Sequence, residues 1–405
     1  MTAPTTEATL DADALEAAVA AATRGVGRLA EKFGVRYPDD TTAADRYLLR
    51  PAPDGLPEGS NVGWTTSFVP GAQWLSYELT GDPVFRTHGE AHVESFADRI
   101  ARGLDLDTHD LGFLYTLSCV APARLLADDG ARAAALEAAG HLMARFLEPA
   151  GILQAWGDLD DPAQRGRTII DSLMNTPLLF WASEEGGDPR FADAAARHVR
   201  QLRDHIFRAD DSTFHTYYWD PVTGEPLRGG TEQGQADGSC WARGQAWGIL
   251  GFSLNYRHLG DPTLLAAAER CAAYFLAHLS DDGVPVWDLA FPVDSDEPRD
   301  SSSAAIAVCG LDELARQLEA RAVADGDRDT GGRARAAGYR AAARRILAAL
   351  VADFVPAEGE SDALLLHGVY DKPKGVGVDE GTLWGDYFYL EALTRASRPE
   401  WTPYW

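Results

Sequence analysis

Two aspartates stand in surroundings that would give a carboxyl group work to do. Asp171 lies in Thr168-Ile169-Ile170-Asp171-Ser172-Leu173-Met174, where apolar neighbours strip water from it. An unpaired carboxylate is costly there, so its pKa should rise and the acid should keep its proton towards neutral pH. Asp110, in His109-Asp110-Leu111, opens a helix-period segment, where a negative charge complements the helix dipole and stays ionised. Taken singly, each aspartate is equally open to a structural reading. Arg243 sits within Trp241-Ala242-Arg243-Gly244-Gln245-Ala246-Trp247, so its guanidinium needs an acid, either a structural partner or a ligand. Trp241 and Trp247 are too far out of phase to share one helix face, so at least one belongs to the core. His215, in Thr213-Phe214-His215-Thr216, reads by itself as an ordinary loop histidine. Carboxylates for proton transfer, an arginine for a carboxylate and tryptophans for stacking are the makeup of a sugar-acid site.

These residues have to be carried by helices. About twelve segments show the helical period, at 11–34, 64–80, 84–102, 110–127, 131–147, 170–186, 190–207, 240–259, 263–279, 301–320, 334–354 and 383–396. No strand-like alternation is sustained. Gly81-Asp82-Pro83, Gly187-Asp188-Pro189 and Gly260-Asp261-Pro262 repeat one turn, glycine ending a helix and proline opening the next, and Asp128-Asp129-Gly130 is read as similar. Such short links make antiparallel hairpins. Longer links at 148–169, 208–239, 280–300 and 355–382 join one hairpin to the next. Segments such as 111–127 and 304–314 are apolar nearly all round, whereas 190–207 and 263–279 carry charge on one face. Inner and outer helices so defined predict an all-α fold, an (α/α)6 toroid of six hairpins in which the last helix pairs with the first. The expectation is one catalytic domain over residues 1–405, with 1–10 a flexible tail. Thr176-Pro177 reads as the start of a helix, which would leave Asp171 on the segment entering it, unless Pro177 marks a kink.

If the inner helices run in one direction, their N-terminal ends share a face. Trp64, His109-Asp110, Asp171, the stretches 228–234 and 241–247, Arg299-Asp300-Ser301-Ser302-Ser303 and Thr382-Leu383-Trp384-Gly385-Asp386 then gather there.

Composition limits the partners. The net charge of −26 over 405 residues disfavours nucleic acid and anionic membranes, which need basic surface, but a local pocket can still take a small anion. Cys119, Cys240, Cys271 and Cys309 are widely spaced and read as buried thiols. With no signal-like or membrane-length apolar run, a cytoplasmic location is expected, as a monomer or homodimer. His88 and His92 lack the glutamate of a zincin motif, and there is no Walker loop, dinucleotide fingerprint or G-x-S-x-G. Neither a metal nor a cofactor is expected.

The sequence resembles the family 88 glycoside hydrolases, the unsaturated glucuronyl hydrolases. The resemblance rests on H-D-L-G-F (109–113), G-I-L-Q-A-W (151–156), I-I-D-S-L-M-N-T-P-L-L (169–179), R-G-G-T-E-Q-G (228–234), W-A-R-G-Q-A-W-G (241–248), R-D-S-S-S-A (299–304) and L-W-G-D-Y-F-Y-L-E-A-L (383–393). Seven blocks in family order are highly specific. The resemblance implies the same toroid and hydrolysis of lyase-generated oligosaccharides that end in a 4,5-unsaturated uronic acid. It implies Asp171 as general acid and base, Asp110 as the second essential carboxylate, and His215, Gln233, Trp241, Arg243 and Trp247 as substrate contacts. Trp64 and Trp384 match by block. The rivals are an unsaturated rhamnogalacturonyl hydrolase, a sugar epimerase, which would want a matched histidine pair at the inner ends, and a non-catalytic oligosaccharide-binding protein. Lys372 and Lys374 border the expected aglycone side as either sulfate contacts or plain surface charge.

Overall fold

The computed structural model describes residues 10–324, 326 and 330–405. Of the expected tail at 1–10, all but Leu10 lies outside them. Among the described residues twelve helical rods form, one for each segment of helical period. Helix α1 (Ala12–Phe33) is followed by the hairpin α2 (Phe68–Thr80) and α3 (Pro83–Ala101). The next inner rod is α4 (Leu111–Tyr115) and α5 (Ala121–Leu126), fused through a π-helical turn at Thr116–Val120, and it pairs with α6 (Asp129–Ala144). Then come α7 (Thr176–Gly186) with α8 (Pro189–His205), α9 (Ala242–Leu259) with α10 (Pro262–Ala277), and α11 (Ser301–Ala324) with α12 (Thr330–Asp353). Finally α13 (Leu383–Ser397) packs on both α1 and α2 and closes the ring. The architecture is the expected (α/α)6 toroid.

Burial separates the layers. In α9 every residue from Ala242 to Asn255 is buried, and in α13 every residue from Leu383 to Arg395. Outer α8 buries only Ala194, Ala195, Ala196, His198, Val199 and Leu202, one face of an otherwise charged helix. The repeated turn works as read. Gly81, Gly187 and Gly260 are left-handed, and Asp82, Asp188 and Asp261 each accept a backbone N–H from the first turn of the following helix. The fourth turn differs. Ala127, not Gly130, takes the left-handed conformation (φ 53°), Asp128 caps α6, and Gly130 lies inside the helix. The π-turn is explained by Pro122, which has no N–H to continue an ordinary ladder through the rod.

The links between hairpins are not purely irregular. They carry β1 (Phe146–Leu147) with β2 (Ile152–Leu153), the antiparallel sheet β3 (Arg167–Ile169), β4 (Thr216–Trp219) and β5 (Pro226–Gly230), and the pair β6 (Gly368–Asp371) and β7 (Val376–Glu380). Strands this short leave no sustained alternation to read. All four cysteines are buried and free. No helix among the described residues is long and apolar enough to cross a membrane.

One contact fixes how two neighbouring hairpins meet. The predicted helix 170–186 is split into a 3-10 turn, Ile170–Met174, and α7, which starts at Thr176 with Pro177 in its first turn, so Asp171 is on the entering segment. Asn175, between the two, bonds across the interface: its Oδ1 accepts the Phe113 N–H of α4 at 2.8 Å. That donor has no partner within its own helix. The approach is so close that a Cβ at Gly112 would fall inside the backbone of Asn175. Gly112→Ala should therefore destabilise the fold by about 1–3 kcal/mol through overpacking against rigid backbone. Thermal melting checks it, and a variant that melts with the parent would remove this contact from the account.

Candidate active site

The N-terminal ends of all six inner rods do meet on one face. Asp110 stands at the start of α4, but its carboxylate does not cap the helix. Its Oδ2 accepts the Thr108 hydroxyl at 2.7 Å, and the Asp110 N–H donates to Thr108 Oγ1 at 3.1 Å. Asp171 is placed by the 3-10 turn, whose first residue, Ile170, donates its N–H to the His215 carbonyl at 3.0 Å. The same turn is gripped from outside. His198 Nδ1 accepts the Leu153 N–H, so its Nε2–H donates to Ser172 Oγ at 2.7 Å, and Ser172 in turn donates to the Ile169 carbonyl at 2.6 Å. On the inner side Gly244, Gly248 and Gly251 line one stripe of α9: Leu173 leaves no room for a side chain at Gly251, and Ile170 lies 3.3 Å from where a Cβ would stand at Gly244 and Gly248.

The two carboxylates converge through His109. Its Nε2 is 3.3 Å from Asp110 Oδ1 and 3.6 Å from Asp171 Oδ1. Asp171 Oδ1 is buried without a hydrogen bond, while the side chain as a whole keeps 16% of its surface and so reaches the cleft. Burial, helped by the Asp110 charge, pushes the Asp171 carboxyl well above the ordinary range, and Arg243 opposes the shift.

Arg243 is almost wholly buried, and the structural reading accounts for its partners. It faces Asp300 Oδ2 at 3.6 Å. Its Nη1 donates to the Val369 carbonyl, and its Nη2 donates to Gln233 Oε1 at 3.0 Å and to the Tyr370 carbonyl at 2.9 Å. The guanidinium lies over the rings of Trp241 and Trp384, at 4.3 and 4.7 Å from their centroids. Asp300 is held by the Ser302 hydroxyl and the Val369 N–H. Arg243 thus ties Gln233, the β6 strand and two tryptophans into one wall.

His215 packs on Trp241, with centroids 4.4 Å apart. Its Nδ1 accepts the Glu232 N–H at 2.9 Å, which leaves the proton on Nε2. Burial foremost, and the Arg243 charge after it, lower its pKa to about 3, so the ring is a neutral donor at working pH. Half-buried Trp64 donates Nε1–H to the Tyr370 hydroxyl at 3.0 Å and packs on Trp384 and Phe113. Trp247 and Trp384 are 1% and 0% exposed. Trp247 lies behind Phe113 and against Phe388, and Trp384 bonds Ser302, so both reach a ligand at most by a ring edge. Lys372 and Lys374 are paired with Glu297 and Asp371.

Sequence reasoning did not single out His109, Asp300 or Tyr370. His109 and Asp300 stand inside stretches placed on the functional face, and Tyr370 stands only within the link 355–382. What was missing was the partner, because Asp300 and Tyr370 reach Arg243 from distant loops. Among the described residues no cluster of histidine, cysteine and acidic side chains is placed to hold a metal.

Such a site offers one carboxyl group poised to keep its proton, a second carboxylate beside it, neutral N–H donors, and aromatic surface. The sign of the Asp171 shift carries a consequence for stability. A carboxyl group whose folded pKa is raised favours the folded state most below the unfolded value, about 3.9, and loses that advantage as pH rises through the folded value. Asp171→Asn should therefore melt above the parent by a margin that grows as pH rises through that window. A margin independent of pH would contradict the buried, unsatisfied state of this carboxyl.

The comparisons bear on the family and the fold. The model of Glycosyl Hydrolase Family 88 matches residues 45–280. An unsaturated chondroitin disaccharide hydrolase from Streptococcus pyogenes serotype M1 is 44% identical over 374 residues, covering 92% of this chain and 88% of its own. The crystal structure of an unsaturated glucuronyl hydrolase from Bacillus sp. GL1, responsible for the degradation of glycosaminoglycan, superposes with a TM-score of 0.87 at 42% identity, over 95% of this chain and 97% of that one. The unsaturated glucuronyl hydrolase of Streptococcus agalactiae gives a TM-score of 0.89 at 39% identity, over 98% and 95%. With the toroid, the paired aspartates and these relatives in agreement, the chain belongs to glycosyl hydrolase family 88 and is a glycoside hydrolase.

Proposed function

We propose that this enzyme, as a single catalytic domain, releases 4,5-unsaturated uronic acid from the non-reducing end of small anionic oligosaccharides of glycosaminoglycan type, the products of polysaccharide lyases. The observation that carries the reading is the unequal setting of two carboxyl groups that face one histidine, one with a buried oxygen and no hydrogen bond, the other bonded to the Thr108 hydroxyl. The names of the relatives support the substrate class.

In such a substrate the C4=C5 bond beside the ring oxygen is an enol ether. Asp171 gives its proton to C4, and positive charge develops at C5 with oxocarbenium character. Asp171, now a carboxylate, takes a proton from the water that adds at C5. The resulting hemiketal opens and releases the aglycone, so the glycosidic bond breaks indirectly, unlike in the usual two-carboxylate glycosidase. Asp110 raises the proton affinity of Asp171 and stabilises the developing charge. His215 Nε2–H and the Gln233 amide are the polar contacts, Trp64 and Trp241 supply aromatic surface, and Trp247 and Trp384 back that surface. Arg243 contributes positive charge from behind the wall. The buried free thiols suit a reducing cytoplasm.

The experiment follows loss of ultraviolet absorbance of the conjugated double bond on lyase-made disaccharides. Chondroitin and hyaluronan products should be turned over faster than the rhamnogalacturonan product, and the reverse order would transfer the chain to the pectin-directed reading. Asp171→Asn should lower kcat by about a thousandfold or more, with Asp110→Asn severely impaired, since a positioned acid alone contributes about 10²–10⁴. Substantial residual turnover in the Asp171 variant would defeat the assignment.

A further inference from the structure

His109 is the residue between the two aspartates, and the reaction above gives it no task. It is 1% exposed and pinned by its backbone, with its N–H donating to the Ala155 carbonyl at 2.9 Å and its carbonyl accepting the Gly112 N–H at 3.2 Å. Both carboxylates turn one oxygen to the same ring nitrogen, Nε2. As a carboxylate Asp110 only accepts, so the nitrogen 3.3 Å from its Oδ1 carries hydrogen. The other nitrogen, Nδ1, is buried without a partner. Arg145 is the cation whose field acts on the ring, and its guanidinium, held by the Gln154 and Gly157 carbonyls, can only donate. A lone pair on Nδ1 suits that neighbour as well.

Two carboxyl groups in contact tend to share a proton between facing oxygens. A proton held there would be turned away from the substrate. Nε2–H occupies the facing side, so the proton of Asp171 is left to its other oxygen.

We propose that His109 is a positioning residue: its neutral imidazole, fixed as the Nε2–H tautomer, turns its N–H to the inner oxygen of Asp110, fills the space between the two acids and so leaves the transferable proton on the cleft-facing side of Asp171. The proposal rests on Asp171 being the proton donor. Burial, with Arg145 acting in the same direction and Asp110 against it, lowers the His109 pKa and so favours the neutral ring. The remaining titratable neighbours are His198 and His215, both lowered to about 3 and so neutral across the working range. Only the two aspartates can therefore change charge around it.

The test has two arms. In protein with ¹⁵N-labelled histidine, the resonance missing from the His109→Gln spectrum should show a bare Nδ1 and a protonated Nε2, with no titration between about pH 5 and 8. An Nδ1–H tautomer, or titration in that range, overturns the proposal whatever the enzyme's activity. In the kinetic arm, His109→Gln, which keeps an N–H near Nε2, should retain kcat within about fivefold, while His109→Leu should lose about a hundredfold in kcat with KM little changed. The basic limb of the Leu variant's pH profile should move to higher pH, because an N–H dipole that favours the ionised form of Asp171 has gone. An unshifted profile, or a Gln variant as damaged as the Leu variant, also overturns it. If the unmodified enzyme turns over no unsaturated disaccharide, the functional reading fails, while the tautomer measurement still stands.

Discussion

The site depends on how closely two helical hairpins approach at Gly112. There the backbone of α4 meets that of Asn175 with no room for a side chain, and Asn175 bonds the first turn of α4 in return. Asp110 lies two residues before this contact and Asp171 four residues before Asn175, so the spacing of the carboxylates is set by backbone against backbone. Side-chain rotamers could not hold that spacing as well, since packed backbone yields far less than a surface side chain. A second set of glycines, on α9, presses the 3-10 turn from the other side, and the His198–Ser172 bonds close it from behind. The acid is thus fixed from three directions by groups that never touch a substrate.

That fixation is what allows an electrostatic asymmetry to persist. A carboxyl group with a buried oxygen and no hydrogen bond would relax towards water or a donor if its segment were loose. Asp110 sits within reach of the same histidine yet keeps a hydroxyl donor in Thr108. The difference between the two acids is therefore one of hydrogen-bond supply, since their side chains are about equally exposed, at 17% and 16%. Residue type and the helix dipole contribute little to it, because Asp110 does not cap α4.

This division explains what was legible in the sequence. Helical period and the Gly-Asp-Pro turns repeat along the chain, so the twelve rods, their pairing and the functional face follow from local pattern alone. Asp171 was visible because its neighbours in sequence are also its neighbours in space. Arg243 was visible only as a charge in need of a partner, because Asp300 and the β6 carbonyls come from elsewhere in the chain. His215 looked like an ordinary loop residue, since its tautomer is decided by the Glu232 N–H. The Thr213–Trp219 stretch is rich in threonine and aromatic residues, which favour strands, but it does not alternate and β4 is too short for that signal to stand out. The left-handed Ala127 ran against the preference for glycine, and no local rule would have chosen it.

An acidic protein that handles an acidic sugar raises the question of how the ligand is tolerated. Charges more than about 8 Å apart are largely screened at physiological salt, so the net charge of −26 matters less than the groups lining the cleft. Within the cleft the deeply buried Arg243 is offset by Asp300 and bonded to backbone carbonyls and Gln233. Recognition then falls chiefly to neutral donors and aromatic faces. Such a site suits a reaction whose acid must stay protonated, because a free cation beside Asp171 would favour its ionised form and discharge it early. Keeping Arg243 neutralised behind the tryptophans supplies a guarded positive field while preserving the proton on which the chemistry depends.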